Sequence, residues 1–149
     1  MDKEVRIKGV LITALKQIKH PKGDVYHGIK KDDIGFINFG EAYFSTIKTK
    51  VIKAWKQHNK MTLNLIVPVG KIRFVLYDGR KDSNTFKQFN VIILSNENYN
   101  RLTIPPGVWM GFQGLGENLN MLLNVADIPH DPNEQVNIPM EESDINFSW

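Results

Sequence analysis

The side chains best suited to chemistry crowd into one stretch, Val51–His58, which carries Lys53, Lys56 and His58. Read as a β-strand, it turns Ile52, Ala54, Lys56 and His58 to one face, and two of these four can titrate or bind ligand. His58 could work as a base near neutral pH, or stand as a solvated histidine at a strand end. A lysine has a reference pKa of about 10.4, so a basic role for Lys56 needs burial and neighbouring Lys53 to press it down by several units. Otherwise Lys56 is a phosphate contact, or a lysine at a barrel mouth or on the surface. Lys53 and Arg73 could hold phosphate oxygens, which an arginine fork suits well. Arg73 paired with Glu41 or Asp78 is the competing arrangement. Tyr77 and Tyr43 are the candidate proton donors, and Tyr43, Trp55 and Trp109 could stack on a flat ligand or pack as core. His20, His27 and His130 fall in loops without an assignable partner.

These residues need a frame. Residues 51–78 read as three strands, Val51–His58, Met61–Val67 and Lys71–Tyr77, joined by turns at Asn59-Lys60 and Pro68-Val69-Gly70. In the third strand Ile72, Phe74 and Leu76 share one face, and Arg73, Val75 and Tyr77 the other. The stretch Ile104–Phe112 is expected across a pocket from this block. Further strands are expected within Val5–Ile18, bent at Gly9, and over Phe36–Phe39, Ala42–Ile47, Phe86–Leu94, Asn100–Ile104, Trp109–Phe112 and Asn120–Val125. Residues 128–149 hold three of the seven prolines and read as a loop-rich arm. Short strands with turn signals every ~8–12 residues, and hardly a helical period, predict an all-β barrel or sandwich in one domain over residues 1–149.

Composition narrows the classes. Cysteine is absent, which removes disulfides, zinc–thiolate sites and a cysteine nucleophile, and fits a reducing cytosol. The N-terminus places Asp2 and Glu4 before a short apolar run, unlike a signal peptide or the ~20 apolar residues of a membrane span, so a cytoplasmic location is expected. Residues 1–60 carry 13 Lys/Arg against 6 Asp/Glu, whereas residues 111–149 carry 7 Asp/Glu and no Lys or Arg. The lysines are spread over several strands and loops rather than clustered, which argues against nucleic acid. The acidic end is expected to pack near basic strands of its own or a neighbouring subunit, and a basic interior strand would attract a phosphorylated small molecule.

Taken together, several ordered motifs resemble the dTDP-4-dehydrorhamnose 3,5-epimerase family, a jelly-roll cupin. They are Gly40-Glu41-Ala42-Tyr43-Phe44-Ser45, Val51–His58, Val69–Asp78, Ile104–Phe112, Leu122–Pro132 and Ile145–Trp149, so the likeness spans nearly the whole chain. It is nearest to short members from bacterial surface and spore-coat polysaccharide gene clusters. The resemblance implies a homodimer with exchanged N-terminal strands, no metal or other cofactor, and a dTDP-linked sugar in the barrel. The family's R-G-L-H strand motif, with its arginine and histidine base, aligns with Lys53-Ala54-Trp55-Lys56. Its histidine in P-x-G-x-x-H-G-F aligns with Met110, and its tyrosine acid falls near Ala126–Pro129, where there is none. A substrate-binding lysine of the second strand falls on Leu63 or Asn64, and the family's aspartate that orients the base lies in a C-terminal extension for which this sequence is expected to have no counterpart.

Epimerising a carbon beside a ketone requires a base on one face of the ring and an acid on the other. Lys56, His58 and Tyr77 are therefore the catalytic candidates, and Lys53, Asn64, Arg73, Tyr43 and Trp109 the substrate-binding ones. Two readings stand: an epimerase or isomerase of a dTDP-4-keto-6-deoxyhexose, and a catalytically silent protein that binds the sugar nucleotide or a pathway enzyme. A metal-dependent oxygenase would need two histidines and a carboxylate in the first motif, where only His58 stands.

Overall fold

The computed structural model describes residues 5–149; Asp2 and Glu4, on which the reading of the N-terminus rests, lie outside the described residues. Alternating apolar residues lay down two five-stranded antiparallel sheets. Along the chain, β1 is Leu11–Ala14, β2 Gln17–Ile18, β3 Val25–Tyr26, β4 Glu41–Thr46, β5 Ile52–His58 and β6 Leu63–Val69. They are followed by β7 Lys71–Asp78, β8 Phe89–Ser95, β9 Asn100–Ile104, β10 Val108–Gly114, β11 Met121–Ala126 and β12 Gln135–Asn137. One sheet runs β1-β9-β6-β11-β4 and the other β12-β5-β10-β7-β8, while β2 and β3 form a separate ribbon. This is the expected all-β jelly roll. Among the described residues, helix amounts to two 3-10 turns, Pro132–Glu134 and Met140–Glu142, and no helix is long and apolar enough to cross a membrane.

The core forms where the inner faces meet. Leu63, Leu65 and Val67 of β6 join Ile72, Phe74 and Leu76 of β7 in one buried apolar cluster, each such side chain contributing about 1.5–3 kcal/mol by leaving water. Polar Lys56 and His58 lie on the inner side of β5, beyond this plug. The apolar residues fill part of the sandwich and leave the rest open.

Several boundaries differ from expectation for identifiable reasons. Pro68 and Val69 continue β6, and the turn falls on Gly70, whose φ of 84° suits glycine because it has no side chain. Phe36–Phe39 is not a strand; the Phe39 amide is capped by the neighbouring Asn38 side chain. The strand expected from Phe86 starts at Phe89, because Lys87 sits at φ 70° and its amide closes a loop onto the Asp78 carbonyl at 2.8 Å. Arg73 pairs with neither Glu41 nor Asp78: it donates to Gln113 Oε1 at 3.1 Å, while buried Asp78 takes Arg80, Ser83 and Thr85. Finally, β10 hydrogen-bonds β5 and β7 within one sheet, so of the block 51–78 only β6 lies across the pocket from it.

Candidate functional site

Strict alternation fails inside β5, and the failure builds the site. Phe112 of β10 pairs with Lys53 and Met110 with Lys56, so both Ala54 and Trp55 stand opposite Gly111 alone. This bulge inserts one residue and re-aims those that follow. Lys53 and Lys56, three apart, thereby share the inner face with Met110 and Phe112, and His58 follows two residues later. The expected grouping of Ile52 and Ala54 with Lys56 and His58 omitted Lys53 for this reason. Gly111 admits the bulge: a Cβ there would come within 2.7 Å of Ala54 Cβ and 3.0 Å of Trp149 Cζ2.

The cavity beneath has a volume of about 550 Å³. Lys53, Lys56 and His58 form its β5 wall, with Met110 and Phe112 beside them. Leu63 and Leu65 of β6, Leu122 and Asn124 of β11, and Tyr43 and Ser45 of β4 form the wall contributed by the other sheet. Asn137, Ile138 and Pro139 of the C-terminal arm complete the lining. Lys53 Nζ reaches the Thr46 carbonyl at 3.3 Å, bridging the two sheets, whereas Lys56 Nζ has no hydrogen-bond or ion-pair partner among the described residues.

His58 is held from behind. Its Nδ1 is hydrogen-bonded to Glu134 Oε1, and both residues are buried, at 7% and 3% exposure. Glu134 Oε2 accepts the amides of Lys60 and Met61 at 3.1 and 3.2 Å. Burial works against a charge on Glu134, but the hydrogen bonds from His58 and these two amides outweigh it and hold its carboxyl below the usual glutamate range. A carboxylate on Nδ1 fixes that nitrogen as the protonated one and leaves Nε2 as the acceptor.

Glu134 arrives on the arm, where Asp131-Pro132-Asn133-Glu134 folds a single 3-10 turn capped by the Asp131 side chain. The arm then runs beside β5, with Ile138 and Trp55 exchanging backbone hydrogen bonds of 2.9 and 3.0 Å. Its last residue, Trp149, packs on Trp55 with ring centroids 5.7 Å apart and is braced edge-on by Phe147 at 5.1 Å. The acidic end of the chain thus packs on a basic strand, as its charge suggests.

Of the residues singled out in the sequence, Lys53, Trp55, Lys56, His58 and Tyr43 meet at the cavity, Trp55 being buried in its wall. Asn64, Arg73, Tyr77 and Trp109 do not line it. Asn64 is buried against Gly35 and Thr103, Tyr77 packs on Phe89, and Trp109 lies over Gly79. His20 accepts the Lys22 amide, His27 lines a separate cavity of about 160 Å³ and His130 is exposed. No group of three or more metal-ligating side chains gathers among the described residues. Glu134 and Asn124 are the site residues that the sequence reading passed over. Glu134 lies 76 positions from His58, and only its turn signature is local.

An oriented imidazole, an unpaired ammonium and a hydroxyl around a half-apolar cavity suit proton transfer on an anionic organic ligand. The sequence profile of the dTDP-4-dehydrorhamnose 3,5-epimerase family matches residues 4–149. The spore coat polysaccharide biosynthesis protein SpsL of Bacillus subtilis is 30% identical over 145 residues, 96% of each chain. The crystal structure of a dTDP sugar isomerase from Desulfovibrio desulfuricans G20 superposes with a TM-score of 0.93 at 40% identity, covering 97% of this chain and 92% of that one. A probable low-salt glycan biosynthesis epimerase, Agl13 of Haloferax volcanii, is 28% identical over 72% of this chain and 71% of its own.

Proposed function

The chain belongs to the dTDP-4-dehydrorhamnose 3,5-epimerase family, and from that premise we propose that it epimerises or isomerises a dTDP-linked 4-keto-6-deoxyhexose for a bacterial surface or spore-coat polysaccharide. The observation that carries this reading is the buried His58–Glu134 pair at the cavity. His58 Nε2 removes the proton from a carbon beside the ketone, and the Glu134 carboxylate balances the charge the ring then gains. Lys56 and Lys53 attract the diphosphate or the developing enolate oxygen, a role that suits Lys56 above all, because its Nζ has no protein partner among the described residues. The proton returns from the side of the opposite sheet, whose wall carries Tyr43, Ser45 and Asn124. No step requires a metal or a cofactor.

The working unit in this reading is a cytoplasmic homodimer. Ile34, Ile37, Phe39 and Phe44 are 61–67% exposed, more apolar surface on one run of chain than a monomer ordinarily leaves in water.

Proton NMR of dTDP-4-keto-6-deoxyglucose in heavy water, with and without the protein, tests the proposal. Loss of the C3 or C5 proton signal above the protein-free rate is the expected result. Shifts of the thymidine resonances without exchange would instead identify a sugar-nucleotide-binding protein without catalysis. Absence of both effects would overturn the substrate assignment.

A further inference from the structure

The wall facing His58 carries an arrangement that proton abstraction does not use. Tyr43 and Asn124 are directly opposed in the β4–β11 ladder, and Asn124 Nδ2 donates to the Tyr43 hydroxyl at 3.1 Å. Asn124 is 1% exposed, stands between Leu122 and Ala126 on the cavity side of β11, and its Oδ1 has no hydrogen-bond partner. An amide in that row is conspicuous, because buried polar atoms are nearly always paired and an apolar residue of the same size would fit. Tyr43 is 40% exposed, and its hydroxyl already accepts from Asn124, so its own proton is free to be donated; no acceptor for it exists among the described residues. The pair therefore offers one acceptor and one donor side by side on the wall opposite Lys56 and His58.

A hydroxyl group is the complement of such a pair, since it donates one hydrogen bond and accepts others. We infer that Asn124 and Tyr43 read a ring hydroxyl of the sugar: Tyr43 O–H donates to its oxygen, and Asn124 Oδ1 accepts its proton. This inference rests on the sugar-nucleotide reading above and adds how the sugar, as distinct from the nucleotide, is recognised. A bound hydroxyl would also satisfy the orphaned Oδ1. Sites built to hydrogen-bond a hydroxyl discriminate strongly against ligands that lack it.

Calorimetric titration with dTDP and with unreactive dTDP-glucose separates the two claims. Wild type is expected to bind dTDP-glucose more tightly than dTDP. Asn124→Leu and Tyr43→Phe are expected to keep dTDP affinity and to lose about tenfold in dTDP-glucose affinity, with thermal melting verifying that both variants fold. Equal dTDP-glucose affinity in wild type and Asn124→Leu, with dTDP binding intact, would overturn the hydroxyl-reading role alone. So would a parallel loss of dTDP affinity, which would put the pair against the nucleotide. Failure of wild type to bind either ligand would overturn the sugar-nucleotide reading, and this inference with it.

Discussion

Glu134 has two consequences, one chemical and one structural. Replacing it by glutamine keeps an acceptor for the Lys60 and Met61 amides but removes the charge that fixes the His58 ring. Exchange of substrate protons in Glu134→Gln is expected to slow by about 10²–10⁴, the range over which a positioned acid or base contributes. Stability should fall by about 2 kcal/mol, the usual worth of a buried hydrogen bond to a charged group. The carboxyl is held below its ordinary range in the folded state, so its stabilising effect is complete above the unfolded pKa of about 4.3 and is lost as the pH falls through the folded value. Urea unfolding of wild type and variant between pH 7 and pH 3 should therefore converge toward the acid end. Lys53, Lys56 and His58 were legible in the sequence because one strand, β5, carries all three, and Tyr43 because it lies in the strand that precedes β5 along the chain. Glu134 was not, because its partner lies 76 residues away and no periodicity links them.

Two elements decide whether those side chains converge. The β5 bulge brings Lys53 and Lys56 to one face, and a two-residue repeat read from sequence cannot anticipate it. The repeat succeeds in β7, where Ile72, Phe74 and Leu76 are fully buried, and it fails where Gly111 of the neighbouring strand lets two residues share one place. The arm read as loop-rich because prolines break its pattern, yet β12 and the Trp149 anchor bind it to β5. Trp149→Ala should cost about 2 kcal/mol, less than a full core truncation because the ring is half-buried. It should also lower exchange activity although Trp149 does not line the cavity, because the strap it secures carries Glu134. Denaturant melts and exchange rates measured on the same preparations would check both effects. An activity unchanged by the loss of the anchor would separate the arm from the site.

Across the molecule, the fold was the most legible feature: short alternating strands and turn residues specify an all-β barrel or sandwich wherever each boundary falls, and the family resemblance makes it a jelly roll. What pairs with what across the sandwich was not: Ile104–Phe112 was expected across the pocket from the whole block 51–78, but β10 hydrogen-bonds β5 and β7 and has only β6 of that block opposite it. The exposed apolar run Ile34–Phe44 predicts a second copy of the chain. Sedimentation should give twice the 17.1 kDa chain mass, and Phe44→Asp should shift the population to monomer. The activity of the whole molecule depends on which side chain takes the proton. The most direct measurement is the rate of deuterium incorporation at C3 and C5 of dTDP-4-keto-6-deoxyglucose by wild type, His58→Gln and Lys56→Met, each at saturating substrate. Exchange should vanish in His58→Gln and persist, with weaker substrate binding, in Lys56→Met. Persistent exchange in His58→Gln together with its loss in Lys56→Met would contradict the account and make the lysine the base.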